Sequence, residues 1–139
     1  MANTLYDKGR QKFLDADIDW SADNIKVILV RGYTPSTGSS GHEFVDDVTG
    51  GGGGTIVATS SNLGSKTSTQ GIADAADVTY TAVAAGAACN HLVLYKDTGS
   101  SATSPLIAVI DTATGLPVTP NGGDITIAWD NSTNKIFKL

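Results

Sequence analysis

Ile25-Lys26-Val27-Ile28-Leu29-Val30-Arg31 is the stretch on which the fold turns. Four of its seven residues are β-branched, which restricts χ1 in a helix and suits a pleated strand. Asn24 before it and Gly32 after it punctuate the run, so it reads as one strand through the core. Working outward, further strands are expected at residues 55–59, 78–83, 91–96, 106–112, 125–129 and 135–139. Val78-Thr79-Tyr80-Thr81 and Ile125-Thr126-Ile127 alternate apolar with polar, as half-buried strands do. Turn signals separate them: Asp97-Thr98-Gly99-Ser100, Thr114-Gly115-Leu116-Pro117 and Pro120-Asn121-Gly122-Gly123. Short strands divided by turns predict a mainly β chain, a β-sandwich or jelly-roll-like antiparallel domain.

Composition agrees. Gly, Thr and Ser together make about a third of the 139 residues, and Asp outnumbers Glu thirteen to one. These residues favour turns and caps over helix interiors, which excludes a helical bundle. With 40% apolar and 17% charged residues, wholesale disorder is excluded too. The length fits a single domain over 1–139, with residues 1–20 as an N-terminal helix or arm and 32–54 as a flexible loop region.

One short helix is expected, over residues 3–14, capped by Asn3 or Thr4 with Asp7 in its first turn. Leu5, Gly9 and Phe13 would form its stripe, with Tyr6 beside it. Gly9 weakens such a helix by roughly 1 kcal/mol relative to Ala, so the helix needs a surface to pack on. Residues 42–48 hold a single helical turn. Gly50 to Gly54 are five consecutive glycines, a mobile loop unless contacts pin it.

Charge is distributed unevenly. Residues 1–31 sum to zero, residues 32–134 carry a net −7, and Lys135 and Lys138 add two bases at the end. A body this acidic repels phosphate, so no nucleic acid is expected as a partner. Cys89 is the sole cysteine, which leaves no intrachain disulfide. No run approaches the ~18 apolar residues of a membrane span and no secretory leader is visible, so a soluble product of the cytoplasm is expected, with no membrane partner.

The residues that carry chemistry elsewhere form no working set here. Asp15, Asp17 and Asp19 suggest a calcium loop, but Trp20 stands where that loop needs Gly and Lys26 where it needs Glu. Alternation would instead point the three carboxylates to water. Cys89 and His91, two apart on a strand, would share a face at about 7 Å, too far for a nucleophile–base pair. His42 reads as a polar surface residue beside Glu43. Trp20 and Trp129 would suit a sugar-binding module, but strand patterning turns them inward. No catalytic residue, cofactor or metal is expected.

Several stretches together resemble a family of small proteins encoded by tailed bacteriophages. They are the opening residues 1–10, Asp17-Ile18-Asp19-Trp20 leading to residues 25–30, and Ala73-Asp74-Ala75-Ala76-Asp77 leading to Thr81. Tyr95-Lys96-Asp97-Thr98-Gly99, residues 105–126 and the ending Asn134-Lys135-Ile136-Phe137-Lys138-Leu139 complete the likeness. It spans nearly the whole chain and is most specific in the C-terminal third; the five-glycine run departs from the family's pattern. The resemblance implies a virion structural role, with a capsid decoration or cement protein preferred over a tail-associated one. Partners would be the major capsid protein and copies of itself, with a homotrimer at a three-fold position of the shell as the geometric expectation. The location implied is the capsid surface, after assembly in the host cytoplasm. The expected contact is the N-terminal segment, through Leu5, Tyr6, Lys8, Arg10, Lys12, Phe13 and Leu14. In it, apolar anchors would give affinity and bases would meet an acidic shell. A small hydrolase built on Cys89 and His91 and a sugar module built on the two tryptophans are the rival classes.

Overall fold

The computed structural model describes residues 3–139. In chain order the elements are β1 (Thr4–Leu5), α1 (Asp7–Leu14), β2 (Ile25–Arg31), α2 (Val45–Thr49), β3 (Thr55–Thr59) and β4 (Thr67–Thr69). Then come β5 (Ile72–Asp74), β6 (Val78–Tyr80), β7 (His91–Lys96), β8 (Leu106–Ile110), β9 (Ile125–Ile127) and β10 (Phe137–Lys138).

The position of β2 accounts for its composition. It lies inside a five-stranded antiparallel sheet of order β1-β8-β7-β2-β3, so strands flank it on both edges and side chains cover both faces. On one face Val27 and Leu29 stand beside Leu94 and Leu92, which in turn meet Ala108 and Ile110. On the other, Ile28 meets Val93, which in turn meets Val109. All of these are at most 1% exposed. Full burial of each such Leu, Ile or Val contributes about 1.5–3 kcal/mol, so this sheet supplies the largest share of the driving force for folding.

Two small sheets, β10-β5-β4 and β6-β9, close the first face and complete an uneven sandwich. They deliver Ala73, Phe137, Val78, Tyr80, Ile125 and Ile127 to the shared core. The second face is covered by α1, α2 and the loop after β2, through Tyr6, Tyr33, Val45 and Val48. The chain is therefore mainly β with a short N-terminal helix, as composition and periodicity predict. Among the described residues no helix is long and apolar enough to cross a membrane.

Several expectations are corrected. The first helix begins at Asp7, not at residue 3, because Thr4 and Leu5 pair with Val109 and Ala108 as an edge strand. Neither Asn3 nor Thr4 caps it. The Asn3 carboxamide oxygen instead accepts from the Thr112 hydroxyl at 2.8 Å, and Tyr6 takes the N-cap position without a side-chain bond. The proposed Leu5–Gly9–Phe13 stripe therefore does not form. Strand β6 ends at Tyr80 rather than residue 83, since Ala82 turns to φ +50°. Strands β8, β9 and β10 are also shorter than the runs that suggested them. Strands β4 and β5 were not expected; both are three residues long, and β4 is exposed throughout.

The glycine run is pinned rather than mobile. Gly54 N–H donates to Val48 O at 2.8 Å, and Gly52 O accepts from Thr34 N–H at 3.0 Å. Gly52 and Gly54 are buried under the Tyr33 side chain, where a Cβ on either would collide with it. The missing side chains let α2 and the ring close on the sheet.

Candidate functional site

The N-terminal segment places its residues in two very different environments. Leu5 and Tyr6 are 6% and 0% exposed and belong to the two cores. The sequence reading offered both as partner contacts; pairing of β1 with β8 turns them inward, and they have no surface to give. Tyr6 is also held by a hydrogen bond to Tyr33, with the two phenol oxygens 2.6 Å apart. Burial pushes its pKa well up, so it stays a neutral phenol. The same cause raises Tyr33 to about 12.

Helix α1 then crosses β8. Its eight residues are too few to be stable alone, so packing must hold it. Gly9 makes that packing close: a methyl group there would lie 2.5 Å from the Leu106 carbonyl oxygen. Asp7 in the first turn and Lys12 in the last suit the helix dipole.

The bases are largely engaged within the chain. Lys8 Nζ lies 3.4 Å from Glu43, and Lys12 Nζ reaches Glu43 at 3.6 Å and Asp17 at 3.7 Å. Lys12 also sits over the Phe44 ring at 5.7 Å. These contacts tie α1 to the loop before α2, where the Asp47 carboxylate accepts from the Glu43 and Phe44 N–H groups. The Glu43 N–H holds the Asp47 carboxyl below the usual carboxylate range. Arg10 pairs with Asp7 at 2.6 Å, one helical turn back, and remains exposed.

Phe13 and Leu14 reach the other end of the chain. The Phe13 ring contacts Phe137 with centroids 6.0 Å apart, and Phe137 meets Trp20 edge-on at 5.2 Å. Leu14, next to Phe13, is 83% exposed, and Leu139, two residues beyond Phe137, is 55% exposed. They are the large exposed apolar side chains among the described residues. Beside this contact a cleft of about 480 Å³ opens between β1 and the C-terminal segment, with Arg10, Asp130, Lys135 and Lys138 among its lining. The sequence showed bases gathering at both termini; the fold brings one of the N-terminal bases, Arg10, to the same cleft as Lys135 and Lys138, while Lys8 and Lys12 turn to Glu43. Lys138 is not among the expected contacts because no local pattern links residues 137 and 138 to residues 10 and 13.

The other sequence-based candidates disperse. Cys89 is fully buried in the core between the sheets, outside β7, in a two-way bridge with Val118. His91 opens β7 and turns to the opposite face, edge-on to Tyr33 at 6.1 Å. The expected shared face therefore does not exist, because Cys89 lies before the regular ladder begins. Burial raises the Cys89 thiol and lowers the His91 imidazole, keeping both neutral. His42 is half-buried rather than a free surface residue: it stacks on Tyr33, and its Nδ1 lies 2.8 Å from the Tyr33 oxygen.

Asp15, Asp17 and Asp19 do not share an extended face either, because a turn with Ala16 at φ +62° separates them. Asp19 accepts from the Ser21 hydroxyl and from the Ser21 and Ala22 N–H groups, which lowers its pKa. Among the described residues, no group of three or more His, Cys, Asp or Glu side chains is placed to hold a metal ion. Trp20 and Trp129 are buried as predicted, donating from Nε1 to Thr67 O and Ala76 O, and neither offers an open ring face to a sugar. Compared with known protein families and with curated proteins, the chain matches none.

Proposed function

We propose that this chain is a structural protein of a tailed-bacteriophage particle, a capsid cement or decoration protein that binds the outer surface of the shell. Its partners would be the major capsid protein and copies of itself, and it would act by binding rather than by catalysis. The resemblance along nearly the whole sequence supplies the viral context. The observation that carries the contact is the meeting of the two terminal segments, where Phe13 packs on Phe137 and Arg10 shares a cleft with Lys135 and Lys138; Leu14 and Leu139, adjoining these residues in sequence, are the large exposed apolar side chains among the described residues. Two apolar anchors together with bases fit the mixed apolar and acidic surface of another protein. A ligand that binds the assembled lattice and not free subunits stabilises the shell by mass action.

Removing residues 1–14 is a poor test, because Leu5 and Tyr6 belong to the core and Gly9 seats α1 on β8. Surface substitutions are better. Leu14→Asp combined with Leu139→Asp should leave the fold intact and lower occupancy on purified shells at least tenfold. Quantitation of copies in purified particles separates the two virion readings. Hundreds of copies support decoration of the shell, and a dozen or fewer favour a tail-associated protein. Absence from particles overturns both.

A further inference from the structure

The sandwich is open on the side away from the termini. Among the described residues, strand β3 ends the five-stranded sheet with no strand beyond it, and β6 likewise ends the β6-β9 pair. Between these two edges runs a groove of about 490 Å³, lined by Val57, Ala58 and Thr59 on one wall and Thr79, Thr81 and Val83 on the other. Edge strands are ordinarily shielded by Lys, Pro or a covering segment. Strand β3 has no charged residue and no Pro, and Ile56, Val57 and Ala58 are only half-buried. A bulge at Val57, where Leu29 pairs with Ala58 but Val30 with Ile56, adds twist without charging or covering the edge.

Charge points to the occupant. The chain carries net −5, so two copies repel each other over most of their surfaces. The groove is lined by residues 57–61 and 79–84, and none of these is Asp, Glu, Lys or Arg. The lining itself is uncharged, and the charges beside it, Asp124 at Ala82 and Arg31 opposite Thr55, are of opposite sign, so two copies meet less repulsion here than over the acidic body. The strand also complements itself. Thr55-Ile56-Val57-Ala58-Thr59 set antiparallel to its own copy about Val57 places each Thr55 opposite a Thr59, and each Ile56 opposite an Ala58. Thr–Thr and β-branched pairs are favourable cross-strand neighbours.

We propose that a second copy of this chain pairs antiparallel along β3, about a two-fold axis through Val57, and joins the two five-stranded sheets into one. This deepens the self-association within the proposed function and replaces the three-fold arrangement expected from the sequence. It does not require that the shell be the other partner. An isologous contact of this kind uses the same strand on both copies.

The full chain should sediment at twice its 14.2 kDa mass. Thr55 and Thr59 are exposed, so Thr55→Lys with Thr59→Lys should fold normally and halve that mass by opposing lysines across the axis. Mixing this variant with Thr55→Glu/Thr59→Glu should restore the dimer, which neither variant forms alone. Val57→Cys in a Cys89→Ala background should cross-link to itself on mild oxidation, since facing residues of antiparallel strands lie about 4.5–5.5 Å apart at Cα, within disulfide reach. If the cysteine variant does not fold, the mixing experiment decides alone. A monomeric or trimeric wild-type chain, or a dimer indifferent to the paired lysines, overturns the proposal. A monomer that still occupies purified shells would overturn this inference and leave the proposed function standing.

Discussion

Tyr6 and Tyr33 meet oxygen to oxygen at 2.6 Å beneath α1, and this bond joins the N-terminal segment to the loop that carries the glycine run. The two hydroxyls are not equivalent. Tyr33 has a second partner in His42 Nδ1 at 2.8 Å, whereas the hydroxyl of Tyr6, fully buried, has Tyr33 alone among the described residues. Tyr6→Phe therefore leaves the remaining hydroxyl paired and should cost about 0.5–1.5 kcal/mol. Tyr33→Phe strands the Tyr6 hydroxyl and should cost more, about 1–3 kcal/mol. Urea midpoints at constant m would rank the two variants; equal losses would show that Tyr6 finds another partner.

Gly9→Ala sets two effects against each other. Helix propensity alone makes the substitution stabilising by about 1 kcal/mol. The added methyl, however, would lie 2.5 Å from the Leu106 carbonyl oxygen and 3.2 Å from that of Ile107, both backbone atoms that cannot rotate away. Overpacking of this kind costs about 1–3 kcal/mol, so the net effect should be a lower Tm by several degrees. A raised Tm would mean that α1 rides further from the sheet.

These two cases show what local sequence could and could not reveal. Strands β3 and β7 fall on their expected bounds because Ile56 and Val57, and Leu92 to Tyr95, are apolar runs flanked by turn residues. Thr4 and Leu5 read as helix because helical residues follow them, but pairing with Val109 and Ala108 outweighs that preference. Strand β4 was invisible because Thr67, Ser68 and Thr69 have no apolar alternation; pairing with β5 holds it in place. At the candidate surface, the charge clusters were legible at each terminus. The meeting of Arg10 with Lys135 and Lys138 was not, because it depends on contacts such as Phe13 with Phe137 across the length of the chain.

Stability should fall with pH in two stages. Burial lowers the His91 pKa in the folded chain, partly offset by the facing Asp111 carboxylate. The unfolded chain, near 6.5, then binds its proton first, so stability is complete above about pH 6.5 and declines as pH falls toward the lowered folded value. Asp47 and Asp97 are shifted the same way, Asp97 chiefly by its bond from Lys26. Their contribution is present above the unfolded carboxylate pKa of about 3.9 and is lost as pH drops through the lowered folded values. His91→Gln should flatten the first stage and leave the second. Unfolding midpoints between pH 7.5 and 3 would separate them, and an unchanged slope in the variant would remove His91 from the account.

The Cys89 thiol offers a direct measure of how tightly the sandwich closes. It is fully buried, its Sγ lies 3.8 Å from Ala87 O, and burial raises its pKa, so little thiolate exists at neutral pH. A thiol reagent such as Ellman's must wait for the chain to open near the bridge between Cys89 and Val118. The native protein should therefore react orders of magnitude more slowly than a free thiol, and one equivalent should appear at once in denaturant. The rate should rise with added urea in step with local opening. Rapid labelling under native conditions would contradict that burial and return Cys89 to consideration as a reactive group.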